Sequence, residues 1–160
     1  MHILLTGRVQ VGKSTALNRY IKSRGISADG YRTYWHDPDT LFIAPYGASD
    51  PGRTAAVTVN FKRVPITETF DGYGASLVRS CGKKQLIVFD ELGRLETHSQ
   101  LFTSAVLRKF DGSVPILGVI KPEHNAFLDA IRAKPNVITI EVTEENRDFI
   151  PDEIGKCLCF

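Results

Sequence analysis

The sequence predicts an α/β fold, in which a mainly parallel β-sheet forms the middle layer of a three-layer sandwich with helices on both sides. Near-continuous apolar runs at residues 86–89 and 114–120 have the composition of strands buried on both faces of a sheet. Helical patterns of apolar residues separate such runs, so strands and helices alternate along the chain. This alternation is typical of parallel sheets joined by right-handed crossovers. The length of 160 residues suits a single domain, which we expect to span residues 1–160.

The chain begins with a strand, a glycine-rich loop and a helix. Residues 3–6 suit a buried strand, and residues 16–21 have the apolar spacing of one helix face. Between them, residues 7–14 match the pattern G-x-x-x-x-G-K-[ST] and are called the phosphate-binding loop below. The match predicts nucleotide contacts for Gly7, Arg8, Val9, Gln10, Val11, Gly12, Lys13, Ser14 and Thr15.

The residue types of this loop suit a polyphosphate. Gly7 and Gly12 allow tight backbone turns, so that loop N–H groups and the positive end of the next helix surround the phosphates. Lys13 would bridge the β- and γ-phosphates, and the Ser14 hydroxyl would ligate Mg²⁺. The alternative is a glycine-rich turn with an incidental lysine, which the correct flanking elements argue against. The loop therefore predicts a nucleoside triphosphate as ligand.

Residues from about 31 to 70 interrupt the alternation of strands and helices. This insert contains four prolines and short β-rich pieces at residues 31–35, 41–44 and 57–61. Hairpins at the edge of the sheet, or a cover over the site, fit such a composition.

A second group of candidate catalytic residues follows the apolar run 86–89. Asp90 and Glu91 end this run, which is the pattern called Walker B. A phosphate-bound Mg²⁺ needs oxygen ligands, so we assign Asp90 to the metal. Glu91 would orient or deprotonate the water that attacks the γ-phosphate. The alternative is an acidic pair that only ends a strand at the surface.

The rest of the chain predicts two more strands and two helices. Residues 114–120 suit a buried strand, whereas residues 136–142 alternate apolar and polar side chains and indicate a peripheral strand. The apolar helix faces consist of Leu101, Phe102, Ala105, Val106 and Phe110 in the first helix and of Phe127, Leu128 and Ile131 in the second.

Several polar residues near the predicted strand ends have two interpretations. Asn146 and Arg147 follow the last strand, at the edge of the sheet where α/β proteins bind ligands. They contact the nucleotide, or they cap the last helix together with Thr143. Arg8, Arg94 and Arg147 are candidates for stabilising charge on the transferred phosphoryl group.

Two further interpretations are open at this stage. Lys121 ends the run 114–120 and either reaches phosphate or, as we favour, is solvated. The aromatic residues Tyr31, Tyr34 and Trp35 either stack on a nucleotide base or, as we favour, pack beneath the insert.

Residues 90–96, with the sequence DELGRLE, resemble the D-E-I-G-[KR]-M-E signature of the P-loop nucleoside-triphosphatases that include the cancer-related and thermophile enzymes. Other segments are similar to motifs of that family in the same order. They are GYRT at 30–33, SQLF at 99–102, VTEENR at 142–147 and IPD at 150–152.

The resemblance implies a P-loop NTPase fold and Mg²⁺-dependent hydrolysis of nucleoside triphosphates with broad base tolerance. It implies catalytic roles for Lys13, Glu91 and Glu96, and metal contacts for Ser14 and Asp90. Glu96 would anchor the loop that follows Glu91, or assist the water.

The phosphate-binding loop departs from the family pattern in two places. Val9 and Gln10 replace a Pro-Gly pair, and Arg8 is unexpected. The altered loop keeps open a nucleotide-binding switch protein with negligible turnover. The insert contains Arg32, Arg53, Lys62 and Arg63, which keeps open a nucleotide or small-molecule kinase on the same fold.

Composition and cysteine usage set the remaining expectations. The net charge of +2 does not indicate a nucleic-acid surface, and no apolar run has the length of a membrane span or signal peptide. The three cysteines, Cys81, Cys157 and Cys159, form no C-x-x-C pair. Their odd number, without a predicted secretory signal, favours reduced thiols in a cytoplasmic protein. We interpret Cys157 and Cys159 as part of a C-terminal helix rather than as metal ligands.

Overall fold

The computed structural model describes residues 1–158, in which eight strands form one sheet with helices on both sides. The strands are β1 (His2–Thr6), β2 (Ala28–Asp37), β3 (Thr40–Pro45), β4 (Arg53–Val59), β5 (Lys62–Pro65), β6 (Leu86–Leu92), β7 (Ile116–Ile120) and β8 (Val137–Glu141). The helices are α1 (Lys13–Ser23), α2 (Thr67–Thr69), α3 (Ala75–Ser80), α4 (Gln100–Lys109), α5 (Ala126–Arg132) and α6 (Ile150–Cys157), and a π-helical turn at Phe70–Gly74 joins α2 to α3. None of the helices in residues 1–158 has both the length and the apolar composition needed to cross a membrane.

The sheet has the strand order β5-β4-β3-β2-β6-β7-β1-β8. Strands β2, β6, β7, β1 and β8 are parallel, and β3, β4 and β5 continue the sheet beyond β2 as antiparallel strands. The predicted mainly parallel sheet with a hairpin insert at its edge is therefore confirmed. The insert is more regular than we expected, since its strands join the sheet. The strand predicted to reach residue 61 ends at Val59, because Phe61 lies in the turn to β5 with a φ of +61°.

Both faces of the sheet bury apolar side chains beneath helices, which produces the predicted three layers. On one face α1 and α6 pack on the sheet through residues such as Leu17 and Ile154, and on the other α4 and α5 do so through residues such as Phe102 and Leu128. The prediction that Leu101 belongs to the buried face of α4 is wrong, since its side chain is 53% exposed. The first turn of α4 faces the π-helical turn through Phe102 instead, whose ring centre lies 5.3 Å from that of Phe70.

The topology determines where the functional residues meet. Because β1, β6, β7 and β8 are parallel, the segments that follow them begin at the same edge of the sheet. The phosphate-binding loop therefore lies near residues 90–96, Lys121 and residues 142–147.

The predicted C-terminal helix carries one of the two cysteines assigned to it. Cys157 ends α6 with a free thiol, and Cys159 lies outside the described residues.

Candidate nucleotide-binding site

The phosphate-binding loop has a conformation that its glycines make possible. Gly7 has a φ of +131° and Gly12 a φ of +108°, values that L side chains rarely adopt. A Cβ atom on Gly7 would lie only 2.4 Å from the carbonyl oxygen of Val142, the residue after β8. Glycine at position 7 therefore lets the loop turn tightly against the end of the neighbouring strand.

The Lys13 side chain points back across this loop. Its Nζ donates hydrogen bonds to the carbonyl oxygens of Gly7 at 2.9 Å and of Arg8 at 2.6 Å. Burial lowers the pKa of Lys13, while the nearby Glu91 carboxylate opposes that shift. The ammonium group is thus held at the loop, where phosphate oxygens could replace the two carbonyl partners.

Ser14 and Asp90 form the oxygen pair that the sequence assigned to Mg²⁺. The Ser14 Oγ donates a hydrogen bond of 2.9 Å to Asp90 Oδ1. Burial raises the pKa of Asp90 to about 6, and the Ser14 hydrogen bond opposes this rise. Strand β7 lies between β1 and β6, so the first turn of α1 brings Ser14 to Asp90 across an intervening strand. Such strand order could not be read from the sequence.

Glu91 and Lys121 form an ion pair beside these residues. The Lys121 Nζ lies 2.7 Å from Glu91 Oε1, and the two side chains are 32% and 30% exposed. The register of β6 against β7 shifts between Asp90 and Leu92, which leaves Glu91 as the extra residue of a bulge, and the Asp90–Glu91 peptide bond is cis. Bulges redirect side chains next to functional sites. Because Lys121 is held in the ion pair with Glu91, the favoured interpretation of Lys121 as a solvated lysine is wrong.

Thr33 on β2 fixes the backbone of the two acidic residues, a contact that sequence reasoning missed. Its Oγ1 accepts a hydrogen bond of 3.2 Å from the Glu91 N–H and lies 3.5 Å from the Asp90 carbonyl oxygen. The GYRT motif explains how β2 comes so close, because a Cβ on Gly30 would lie 2.0 Å from the carbonyl oxygen of Val88 on β6. The fixed spacing between glycine and threonine in that motif was the available signal.

Glu96 is almost completely buried and anchors the turn after β6. Its Oε1 accepts a hydrogen bond of 2.6 Å from the Gly93 N–H. Burial raises the pKa of Glu96 to about 7. Of the two interpretations offered for this residue, the geometry supports loop anchoring. Arg94, in the same turn, is exposed.

Asn146 and Arg147 differ in their surroundings. The Asn146 amide accepts a hydrogen bond from the Thr143 N–H at 2.8 Å and donates one to the Glu141 carbonyl oxygen at 2.9 Å. Both ends of that amide thus serve the turn after β8. The capping alternative is wrong for the last helix, because α6 begins at Ile150 with Phe149 as its N-cap residue and no side-chain cap. Arg147 is exposed and lies against the phosphate-binding loop, since its Cδ would be 3.8 Å from a Cβ on Gly12.

The remaining predicted contact residues line two clefts beside the loop. Gln10, Gly12, Thr15 and Arg147 border a cleft of about 360 Å³. Arg8, Val9 and Val11 contribute to a neighbouring one of about 320 Å³, which also includes Arg147. The Val11 residue itself is mostly buried in the core, whereas Arg8 and Val9 are exposed.

The three aromatic residues of β2 are not one group. Tyr31 is fully buried and stacks on Phe89 with ring centres 5.1 Å apart, as the packing interpretation predicts. Trp35 is instead 37% exposed and borders a cavity of about 560 Å³ that also touches Glu91 and Lys121.

Comparison with known proteins places this chain in a family. A family model described as NTPase matches residues 52–155. All of the chain aligns at 30% identity with 97% of the nucleoside-triphosphatase THEP1 of Thermotoga sp. (strain RQ2). The chain belongs to the NTPase family. A human relative, the cancer-related nucleoside-triphosphatase, is 30% identical over 98% of this chain and 96% of its own length.

Solved structures of similar proteins share the NTPase-family fold described above. The crystal structure of THEP1 from the hyperthermophile Aquifex aeolicus superposes with a TM-score of 0.81, at 22% identity over 96% of both chains. The solution structure of a human cancer-related nucleoside triphosphatase gives a TM-score of 0.76, at 25% identity over 98% of this chain and 96% of that one. The resemblance seen in the sequence is thus confirmed, as is the predicted fold.

One departure from the family pattern places a side chain at a strained backbone position. Gln10, which stands where the family motif has glycine, adopts a φ of +62°. The left-handed conformation costs a non-glycine residue roughly 1–2 kcal/mol. The loop thus keeps a glycine-like conformation at a position that now carries a side chain.

Proposed function

We propose that this protein hydrolyses nucleoside triphosphates between the β- and γ-phosphates, at the site formed by the phosphate-binding loop, Asp90 and Glu91, with Mg²⁺ as cofactor. Membership of the NTPase family, with relatives named nucleoside-triphosphatases at about 30% identity, supports the reaction. The observation that carries the assignment to this site is the 2.9 Å contact between Ser14 Oγ and Asp90 Oδ1. It joins the phosphate-binding loop to the Walker B strand.

The residues at this contact fit a magnesium ion. A hydroxyl and a carboxylate are the hard oxygen ligands that Mg²⁺ prefers, and these two already lie side by side. Ser14 and Asp90 would hold the ion. When bound, Mg²⁺ would neutralise charge on the β- and γ-phosphate oxygens.

Lys13 would bind the phosphates directly. Its ammonium would exchange the carbonyl oxygens of Gly7 and Arg8 for the more strongly interacting phosphate oxygens. The N–H groups of the loop would surround the same anion. We place the rest of the nucleotide along the clefts beside Thr15 and Arg147.

Glu91 would accept the proton of the attacking water. The ion pair with Lys121 holds its carboxylate in one place and adds a second cation close to Lys13. Thr33 fixes the backbone on one side of Glu91, and Glu96 fixes the turn on the other through Gly93. We therefore assign Glu91 as the base and Glu96 as a positioning residue.

Two broader features belong to the same proposal. We propose that residues 1–160 work as one domain, since the insert strands join the sheet that carries the phosphate-binding loop. We also propose a cytoplasmic location, because Cys81 and Cys157 have free thiols.

Release of inorganic phosphate from ATP, GTP, CTP and UTP, with Mg²⁺ and with EDTA, tests the proposal. Lys13→Ala should lower kcat/KM at least about 100-fold, because one electrostatic donor to the transition state is lost. Lys22→Ala, at the exposed end of the same helix, is the matched control and should stay within about twofold of the parent rate. Near-normal hydrolysis by Lys13→Ala, or hydrolysis that is insensitive to EDTA, would contradict the assignment.

A further inference from the structure

The cavity beside Glu91 is larger than hydrolysis requires. It has a volume of about 560 Å³, whereas one water occupies roughly 30 Å³ of liquid. Volumes of about 300–1,000 Å³ are typical of sites for small organic ligands. The space next to the proposed base can therefore hold a second molecule besides the nucleoside triphosphate.

Part of the wall of this cavity is apolar and comes largely from the insert. Trp35 on β2 and Leu41 on β3 line it, together with Phe70 from the π-helical turn. The guanidinium carbon of Arg63 on β5 lies 3.7 Å from the centre of the Trp35 ring. This stacking restrains the indole while leaving it 37% exposed. Such a wall suits a flat aromatic ring.

Another part of the cavity wall is polar and belongs to the proposed reaction centre. Glu91 and Lys121 line it as an ion pair, and Gln10 of the phosphate-binding loop contributes as well. A hydroxyl group placed here would meet the same carboxylate that we propose as the base for water. The cavity wall therefore includes both an aromatic surface and a proton acceptor.

We propose that this cavity binds a nucleoside as phosphoryl acceptor, so that the protein transfers the γ-phosphoryl group to an alcohol as well as to water. This inference rests on the proposed function, because both reactions use the same phosphate-binding loop. An oxygen of the acceptor forms a bond to the γ-phosphorus, and the bond from that phosphorus to the β,γ-bridging oxygen breaks. The nucleoside diphosphate leaves with the electron pair, and the hydroxyl proton passes to Glu91.

The test follows the γ-phosphoryl group from labelled ATP in the presence of adenosine, guanosine, cytidine or uridine, and in parallel with the corresponding nucleoside 5′-monophosphates. We expect a labelled nucleoside monophosphate to form besides inorganic phosphate. Trp35→Ala should lower the ratio of nucleoside monophosphate to inorganic phosphate about tenfold, as expected for the loss of one base-stacking surface. Phe61→Ala is the matched control, because Phe61 is an exposed aromatic residue of the same insert outside the cavity. It should leave the ratio unchanged.

A second measurement detects the acceptor directly. Trp35 is the only tryptophan of the chain, so its fluorescence reports on this cavity alone. We expect the nucleoside that serves as acceptor to quench the Trp35 fluorescence, and to do so without competing with the nucleoside triphosphate.

Three results would overturn the inference. They are the absence of any phosphorylated nucleoside, whether or not quenching occurs; a nucleoside that only competes with ATP; and phosphorylation of nucleoside 5′-monophosphates instead of nucleosides. Failure of the proposed function has a different signature, since then no nucleoside triphosphate releases phosphate when the acceptor is left out.

Discussion

Replacing Asp90 by asparagine should stabilise the protein while impairing its reaction. Burial raises the pKa of the Asp90 carboxyl from 3.8 to about 6. The folded protein therefore holds this proton more tightly than the unfolded chain does. Stability decreases as the pH rises from about 4 to about 6, and above pH 6 the full cost of the buried charge is present. Asparagine carries no charge at any pH, so it avoids this cost.

The size of the effect follows from the pKa change. A shift of about two units corresponds to roughly 3 kcal/mol at 1.36 kcal/mol per unit, which is an upper limit because Asp90 is only partly buried. The asparagine oxygen can still accept the hydrogen bond from Ser14, so little of the gain is lost there. We expect Asp90→Asn to increase the free energy of unfolding by about 1–3 kcal/mol at pH 8 and by at most about 0.5 kcal/mol at pH 4.

Urea unfolding of both proteins between pH 4 and pH 8 measures this difference. Asp39→Asn makes the same chemical change in the exposed turn between β2 and β3, and should alter stability by less than about 0.5 kcal/mol. Phosphate release in a Mg²⁺ titration should show that Asp90→Asn loses turnover and metal dependence together. An Asp90→Asn variant that is less stable than the parent at pH 8, or a gain that does not change with pH, would refute the reasoning.

Three further predictions concern the base, the loop and the nucleotide. Glu91→Gln should lower turnover at least about 100-fold, because an amide cannot accept the proton of water, while calorimetry should show nearly unchanged binding of nucleotide with Mg²⁺. Hydrolysis at the parent rate would move the role of base to Glu96. Gln10→Gly should raise the free energy of unfolding by about 0.5–1 kcal/mol, because it removes left-handed strain. Gln100→Gly in helix α4 should lower the free energy of unfolding. A loss of stability in Gln10→Gly would contradict the strain argument. Values of kcat/KM for ATP, GTP, CTP and UTP should agree within about tenfold, and a thousandfold preference for one base would contradict recognition through phosphate, metal and stacking.

The parts of the site that lie close together in the sequence could be predicted from it. Residues 7–14 and 90–96 each form a continuous motif, so the loop and the Walker B acids are recognisable without the fold. The Glu91–Lys121 pair joins residues from two strands whose neighbourhood depends on the strand order of the whole sheet. A lysine after an apolar strand looks solvated by composition alone.

Local hydrogen bonding also decided between interpretations that the sequence left open. Asn146 has the residue type and the position of a ligand contact, yet both ends of its amide bond the turn after β8. Trp35 and Tyr31 lie on the same strand, but alternation along β2 does not reveal which of them faces the cavity. Sheet register and side-chain partners supply that information, and a single sequence contains neither.

The ion pair between Glu91 and Lys121 has a thermodynamic consequence for how a triphosphate would enter. Lys13 and Lys121 contribute two positive charges, and Asp90 and Glu91 contribute two negative ones, so the cluster supplies its own counter-ions. An anion arriving alone gains attraction from the ammonium groups and meets repulsion from the carboxylates. A divalent cation arriving with it would offset that repulsion and would link the two binding equilibria, so that each ligand would strengthen the other by the same factor. Such a balanced cluster would therefore select the metal complex of the nucleotide rather than the bare polyanion.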